Sequence, residues 1–469
     1  MSETRQPSPE IPARSRREFV KTVAAGSAAA ATVPTALFGE RRPMARGERR
    51  ERTGEPPARQ VAPSDRIGLA VIGAGGMGMA NVNTALRIPG VELVAACDIF
   101  AGRLDAARER HGDISTTRDY REVIARDDVD AVIVGTPDHW HQPISVDALR
   151  AGKAVYCEKP MVHNIGEGHG LIQAAEESGS VFQVGSQGMS SLGNEKAKEL
   201  YEAGAIGELN YAEGFWARND PLGAWQYPIP AGASEATVDW KRFLGPAPEV
   251  PYDPLRVFRW RNYRDYGTGV AGDLFVHLFS SLHFVVSSRG PTRVQATGGL
   301  RYWKDGREVP DVLLGMFDYP ATGTHPAFNL SLRVNFVDGT SGSTFLRLVG
   351  SEGAMDVTWT GVVLRKNEAV DPMDAFSRER MAEAAGSEAG LPARVGMRPP
   401  VEIRYEVERG YRGAHVDHFF NFFEAVRGGP PVLQDAAFGL RAAAPALACN
   451  LSYFQEQSVG WDPEAMRLT

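Results

Sequence analysis

The stretch from Arg66 to Asp98 constrains this chain more than any other. It opens with an apolar run, Ile67 to Ile72, which leads directly into Gly73-Ala-Gly75-Gly76-Met77-Gly78. The spacing predicts a helix from about Met77 to Arg87, and a second apolar run, Val91 to Cys97, ends on Asp98. Glycine-rich turns occur in many α/β units. A strand before the turn, a helix after it and an acid about twenty residues beyond the last glycine single out a dinucleotide-binding turn. Gly73 permits the tight turn, Gly75 has no side chain to keep the backbone from a pyrophosphate, and Gly78 lets helix and strand pack closely; Gly76 is expected to bind the cofactor with them. The helix start offers free N–H groups, including that of Met77, and the positive end of its dipole. Asp98 is placed to accept hydrogen bonds from a ribose diol and to repel a 2′-phosphate, so NAD is expected in preference to NADP.

A chain of 469 residues has room for two core-bearing domains. Its net charge of −7 argues against nucleic acid as a partner. Three cysteines, Cys97, Cys157 and Cys449, do not make a disulfide framework, and the first two fall in apolar runs that predict buried thiols. No cysteine or histidine spacing suits zinc, so no metal site is expected.

The N-terminus reads as a targeting segment. Arg16-Arg17 precedes an alanine-rich, mildly apolar stretch interrupted by Gly26, Ser27 and Pro34. A twin arginine ahead of such a stretch is an export signal of the Tat type, here residues 1–38. It implies the Tat translocase as a transient partner and the periplasm or cell surface as the destination. Residues 39–64, rich in Arg, Pro, Glu and Gly without apolar period, read as a disordered linker.

From Arg66, strand and helix patterns alternate regularly through Val181–Val184, which implies a doubly wound parallel sheet in a dinucleotide-binding Rossmann domain over residues 65–190. Ligands of such sheets sit beyond the carboxyl ends of the strands. Three loops meet that condition: Gly73 to Gly78, Gly135 to His141, and Glu158 to Met161. After a helix from Ser191 to Ala203 the texture changes. Strand patterns at Glu208–Trp216, Arg293–Leu300, Val312–Asp318, Phe328–Val337 and Ser343–Val349 predict a large, mostly antiparallel open sheet. Pro221 to Pro254 reads as a long ordered loop, and Ser377 to Pro400 as a flexible stretch. Helices follow over Ala414–Arg427 and Ala436–Gln455, the latter with Pro445 inside. The α/β domain over residues 191–469 is expected to hold the substrate and to oligomerise, as a dimer or tetramer, because few helices are available to cover its sheet.

Several side chains could carry chemistry. Lys159 follows a sheet strand, where it can meet a substrate hydroxyl near the nicotinamide; a surface lysine after a strand would read the same way. Asp273 and His277 are four apart and would share a helix face, the carboxylate holding the imidazole in one tautomer as a general base. A capping role for Asp273 is the competing reading. In Thr136-Pro137-Asp138-His139-Trp140-His141 the two histidines have a chelating spacing but no third ligand, so Thr136, Pro137 and His141 are expected to line the cofactor. Trp216 and Arg259-Trp260-Arg261 form either a polar-aromatic sugar platform or domain packing.

Taken together, Gly73 to Gly78, Gly135-Thr-Pro137, Cys157-Glu-Lys-Pro160 and Asp273-x-x-x-His277 resemble the Gfo/Idh/MocA family, which includes glucose–fructose oxidoreductases and inositol dehydrogenases. The resemblance runs from about Arg66 to the C-terminus and is densest through Gln187. It implies a Rossmann domain joined to an open-sheet α/β domain with the active site between them. Lys159, Asp273 and His277 match the family's catalytic residues, and Glu158 and Gln187 fall with the cofactor-binding set. A cis Lys159-Pro160 bond is also implied. Ala271 stands where a glycine is usual, and Leu274-Phe275-Val276 is bulkier than the common form.

The resulting expectation is an exported NAD(P)-dependent oxidoreductase acting on a secondary hydroxyl of a sugar, glycoside or cyclitol. Its NAD is expected to be tightly bound, since free NAD is scarce outside the cytoplasm. One alternative is a glycoside hydrolase or lyase that cycles through oxidation, elimination and re-reduction on bound NAD. Another is a non-catalytic carbohydrate-binding protein.

Overall fold

The computed structural model describes residues 65–339, 343–366 and 400–469, together with 40–43, 61–62 and single positions between 376 and 383. The export signal and most of the expected flexible stretch, 377–400, lie outside the described residues.

The first sheet contains β1 (Ile67–Ile72), β2 (Val91–Cys97), β3 (Ser115–Thr117), β4 (Ala131–Val134), β5 (Ala154–Glu158) and β6 (Phe182–Gly185). All pair in parallel, in the order β3-β2-β1-β4-β5-β6. Strands buried on both faces read as continuous apolar runs, and Ala131–Val134 and Ala154–Glu158 are buried at every position. The chain reverses beside β1, the switch point at which such sheets hold their ligands. Helix α1 (Gly76–Ala85) follows the glycine turn directly.

The second sheet has eleven strands. Ten of them are β7 (Leu209–Ala217), β8 (Arg293–Gly299), β9 (Val312–Tyr319), β10 (Phe328–Asn335), β11 (Thr344–Gly350), β12 (Gly353–Thr358), β13 (Gly361–Lys366), β14 (Val401–Glu406), β15 (Val459–Asp462) and β16 (Arg467–Leu468). Among these, β7 pairs in parallel with β10, and the other pairings are antiparallel. The remaining strand, Glu40–Pro43, borders β14 at one edge. It falls within the stretch expected to be a disordered linker, most of which lies outside the described residues. An edge strand needs only backbone groups to pair, so no apolar pattern announces it.

Alternation is clear in this sheet. On β10, Phe328, Leu330, Leu332 and Val334 are buried, while Arg333 and Asn329 face outward. The buried face packs on helices α2 (Val276–Val286) and α4 (Ala436–Gln455), with Phe317 edge-on to Phe279 at 4.9 Å. The opposite face carries Leu314 and Met316, 44% and 58% exposed.

Helix α3 (Ala414–Val426) belongs by sequence to the second region but covers the Rossmann sheet. Its Val416, Phe419, Phe422 and Phe423 pack with Leu69, Val71 and Ile133, and Phe419 stacks on Tyr156 at 4.2 Å. The three cysteines are free and buried.

Candidate active site

The three loops at the carboxyl ends of the Rossmann strands meet the end of the large sheet around a cleft of about 670 Å³. At its nucleotide end, Gly73 has φ +93°, and a Cβ there would lie 2.6 Å from the Gly135 carbonyl oxygen. A Cβ on Gly78 would fall 1.9 Å from the Gly73 carbonyl oxygen, so only glycine lets α1 start this close to the turn. Above Gly76 there is open space. The α1 N-cap is Gly75, with no side-chain cap and no acid in the first turn. Gly75, Gly76 and Met77 line the cleft, so the uncapped N–H groups and dipole are left for an anion, as a pyrophosphate requires.

Asp98 ends β2 as expected and is 4% exposed. Its Oδ1 accepts the Phe100 N–H at 2.9 Å, and Arg103 donates to Oδ2 at 3.3 Å. Each carboxylate oxygen keeps acceptor capacity for a ribose hydroxyl. Thr136, Pro137 and His141 also line the cleft, and the Thr136 hydroxyl is buried without a protein partner. The two histidines of that loop diverge. His139 Nε2 lies 2.9 Å from the Phe243 carbonyl oxygen, whereas His141 bridges the carbonyls of Pro160 and Thr136 at 2.7 and 2.9 Å. They form no chelate, and no metal-binding cluster occurs among the described residues.

Glu158 and Gln187 are buried together. Glu158 Oε1 accepts from Asn81 Nδ2 at 2.9 Å and from Gln187 Nε2 at 3.2 Å. Burial raises the Glu158 pKa, with Lys159 and Asn81 opposing. Asn81, on the buried face of α1, was not anticipated; its one sequence signal is a polar residue inside an otherwise small and apolar helix face.

The reactive end joins the loop after β5 to the π-helical turn and first residues of α2. The Lys159-Pro160 bond is cis, in line with the family resemblance. Lys159 Nζ donates to Asp273 Oδ1 at 2.7 Å and to the Asp273 carbonyl oxygen at 2.8 Å, and Arg261 Nε reaches the same Oδ1 at 3.1 Å. Burial alone would raise the Asp273 pKa. Lys159, Arg261 and Arg218 outweigh it and hold the carboxyl well below the usual carboxylate range.

The expected Asp273–His277 pair is not formed, and neither is an Asp273 cap. Residues Ala271–Phe275 form a π-helical turn, whose i→i+5 bonding widens the helix so that residues four apart no longer stack on one face. Asp273 turns to Lys159 and Arg261 instead. The His277 ring lies between Trp216 at 5.3 Å and Trp359 at 5.9 Å. Its Nδ1 is buried without a partner, so Nε2 is the nitrogen that meets the cleft. Burial, with Lys159, lowers its pKa to about 3 against the opposing pull of Asp273, so the ring is neutral.

Of the expected aromatic platform, Trp216, Trp260 and Arg261 line the cleft, with the Arg261 guanidinium 4.2 Å above the Trp260 ring. Arg259 instead braces the long loop through the Tyr227 carbonyl at 2.9 Å. That loop bends back over the nucleotide end: Val238 bridges Phe100, and Phe258 meets Phe100 edge-on at 5.3 Å. Arg218, at the end of β7, and Trp359, in the β12–β13 turn, also line the cleft and were not anticipated. An exposed tryptophan in a tight turn was the only sequence signal for either.

Residues 67–186 match the model of an oxidoreductase family with an NAD-binding Rossmann fold. The inositol 2-dehydrogenase of Rubrobacter xylanophilus is 34% identical over 158 residues, which are 33% of this chain and 45% of that protein. A glycosyl hydrolase family 109 protein of Shewanella sp. strain ANA-3 is 31% identical over 173 residues, 35% of this chain and 37% of its own. The chain thus spans less than half the length of these curated relatives. The fold extends further. A levoglucosan dehydrogenase solved with NADH and levoglucosan aligns with TM-score 0.62 at 18% identity, over 84% of this chain and 99% of that one. GenD2 from gentamicin A biosynthesis, solved with NAD, aligns with TM-score 0.62 at 19% identity, over 87% and 99%.

Proposed function

We propose that this chain is an exported member of the Gfo/Idh/MocA family, an NAD-dependent oxidoreductase that acts on a secondary hydroxyl of a sugar, glycoside or cyclitol. One observation carries the reading: Lys159 from the Rossmann side meets Asp273 from the other, at 2.7 Å, beside a neutral His277. The inositol and levoglucosan dehydrogenases among the similar proteins support the substrate class.

NAD would be held by the Gly73–Gly78 turn, Asp98 and Thr136 and would supply the hydride acceptor. Lys159 has three N–H donors; two go to Asp273, and the third is left for the substrate oxygen. Its ammonium stabilises negative charge as that oxygen loses its proton. His277, neutral in the cleft, accepts that proton at Nε2. Asp273 aims Lys159 rather than His277. Trp216 and Trp359 fix the imidazole plane and exclude water. The loop folded over Phe100 favours a nucleotide that stays bound through many turnovers. NAD reduction by a panel of sugars and cyclitols, with product analysis, tests the reading; no turnover of any of them by NAD-loaded protein would contradict it.

The family 109 relative favours a second reading, glycoside cleavage through transient oxidation on bound NAD. Release of the aglycone from an aryl glycoside without added NAD would establish it. The open sheet face bearing Leu314 and Met316 supports a homodimer or homotetramer, and a monomeric mass in light scattering over a wide concentration range would contradict that.

A further inference from the structure

The substrate end of the cleft holds guanidinium groups that its own carboxylates do not fully engage. Lys159, Arg218 and Arg261 line it against Asp273, Asp138 and Glu158, the last hydrogen-bonded to Asn81 and Gln187. Asp273 is engaged by Lys159 and Arg261. Asp138 is engaged by Thr268, whose N–H and hydroxyl donate to its Oδ2 at 2.9 and 2.6 Å. Arg218 pairs with no carboxylate among the described residues. One of its nitrogens donates to the Gly223 carbonyl at 2.9 Å, and its guanidinium stands 5.7 Å from the Phe336 ring centroid. It lines the same cleft as Asp273 and His277. Arg261 gives only Nε to Asp273, so its terminal nitrogens have no acceptor among the described residues. A half-buried guanidinium among tryptophans, without an anion, is unfavourable when a ligand displaces the surrounding water.

We propose that the substrate is a sugar or cyclitol derivative bearing a carboxylate, held by Arg218 and Arg261 while a neighbouring hydroxyl sits at Lys159 and His277. This rests on the oxidoreductase reading. The carboxylate takes no part in bond making: the carbon's hydride goes to NAD and the hydroxyl proton to His277. A carboxylate suits the site better than a phosphate: with Asp273, Asp138 and Glu158 also lining the cleft, a monoanion adds less repulsion than a dianion, and its planar shape matches the guanidinium fork. A neutral sugar would desolvate Arg218 without pairing it.

The test is calorimetric titration of NAD-loaded protein with a hexuronate, its methyl ester, the parent hexose and the hexose 6-phosphate, with NAD reduction followed in the same samples. The hexuronate should bind roughly 10- to 100-fold tighter than the hexose or the ester, as expected for a charge-assisted hydrogen bond. Arg218→Gln should remove most of that preference, its NAD affinity serving as the check on folding. Equal affinity for hexuronate and ester in the unaltered protein would overturn the proposal without any variant, and so would tighter binding of the phosphate. Selective hexuronate binding with no NAD reduction would leave the anion site standing and remove the oxidoreductase reading. NAD reduction by hexose and hexuronate alike would do the reverse.

Discussion

Lys159 Nζ lies 2.7 Å from Asp273 Oδ1, the lysine in the loop after β5 and the aspartate in the π-helical turn that leads into α2. Both side chains are about nine-tenths buried, at 10% and 8% exposure. This contact joins the two halves of the cleft at the point where the chemistry is proposed. It also reassigns Asp273, from orienting an imidazole to aiming an ammonium.

Asp273→Asn keeps the shape and removes the charge. Lys159 and Arg261 are then left without their carboxylate, and breaking a buried pair from one side typically costs about 3–5 kcal/mol. The expected outcome is an unfolding free energy lower by that order, read as a lower denaturant midpoint, together with lost turnover. A midpoint unchanged from the unaltered protein would show that the contact carries no stability.

Acid should destabilise the fold. Burial lowers the pKa of His139 and His418 to about 4 and of His277 to about 3. Each then binds a proton more readily unfolded than folded. Their contribution is fully present above the unfolded value near 6.5 and is lost as pH falls towards the folded values. Asp273, depressed in the fold, adds a further loss below about pH 3.8. The thermal midpoint should therefore fall by several degrees between neutral pH and about pH 4.5. A flat midpoint across that window would contradict the buried, neutral assignment of these rings.

Asp98 should favour NAD. A 2′-phosphate would meet a buried carboxylate, and Arg103, already bonded to Asp98, is only partly available to offset it. Calorimetry should show NAD binding at least about tenfold tighter than NADP, a difference of about 1.4 kcal/mol. Comparable affinities would show that Arg103 has taken over the phosphate.

Much of this architecture could be read from residue order. The α1 turn was legible because strand, glycines and acid are local, and the bounds expected for α4, Ala436–Gln455, match the helix. What escaped depends on distance. Strand β14 mixes Glu402 and Arg404 into its pattern because its charges are matched across strands, as in Arg365–Glu402 at 3.2 Å. Arg218 and Trp359 enter the cleft only through sheet pairing and the β12–β13 turn. The π turn at Ala271–Phe275 has no local signature, and it decided where Asp273 points.

Export rests on Arg16-Arg17 ahead of the alanine-rich stretch. Replacing both arginines with lysine should leave the precursor in the cytoplasm. Undiminished export of the double variant would rule out the Tat route.

The central claim is that Lys159 and His277 carry the proton chemistry of an alcohol oxidation. Single-turnover NAD reduction by Lys159→Ala and His277→Ala, with a substrate the unaltered protein oxidises, tests it most directly. Each variant should bind NAD normally and lose roughly 10²- to 10⁴-fold in rate. A folded, NAD-loaded variant that turns over at close to the original rate would contradict the role assigned to that residue.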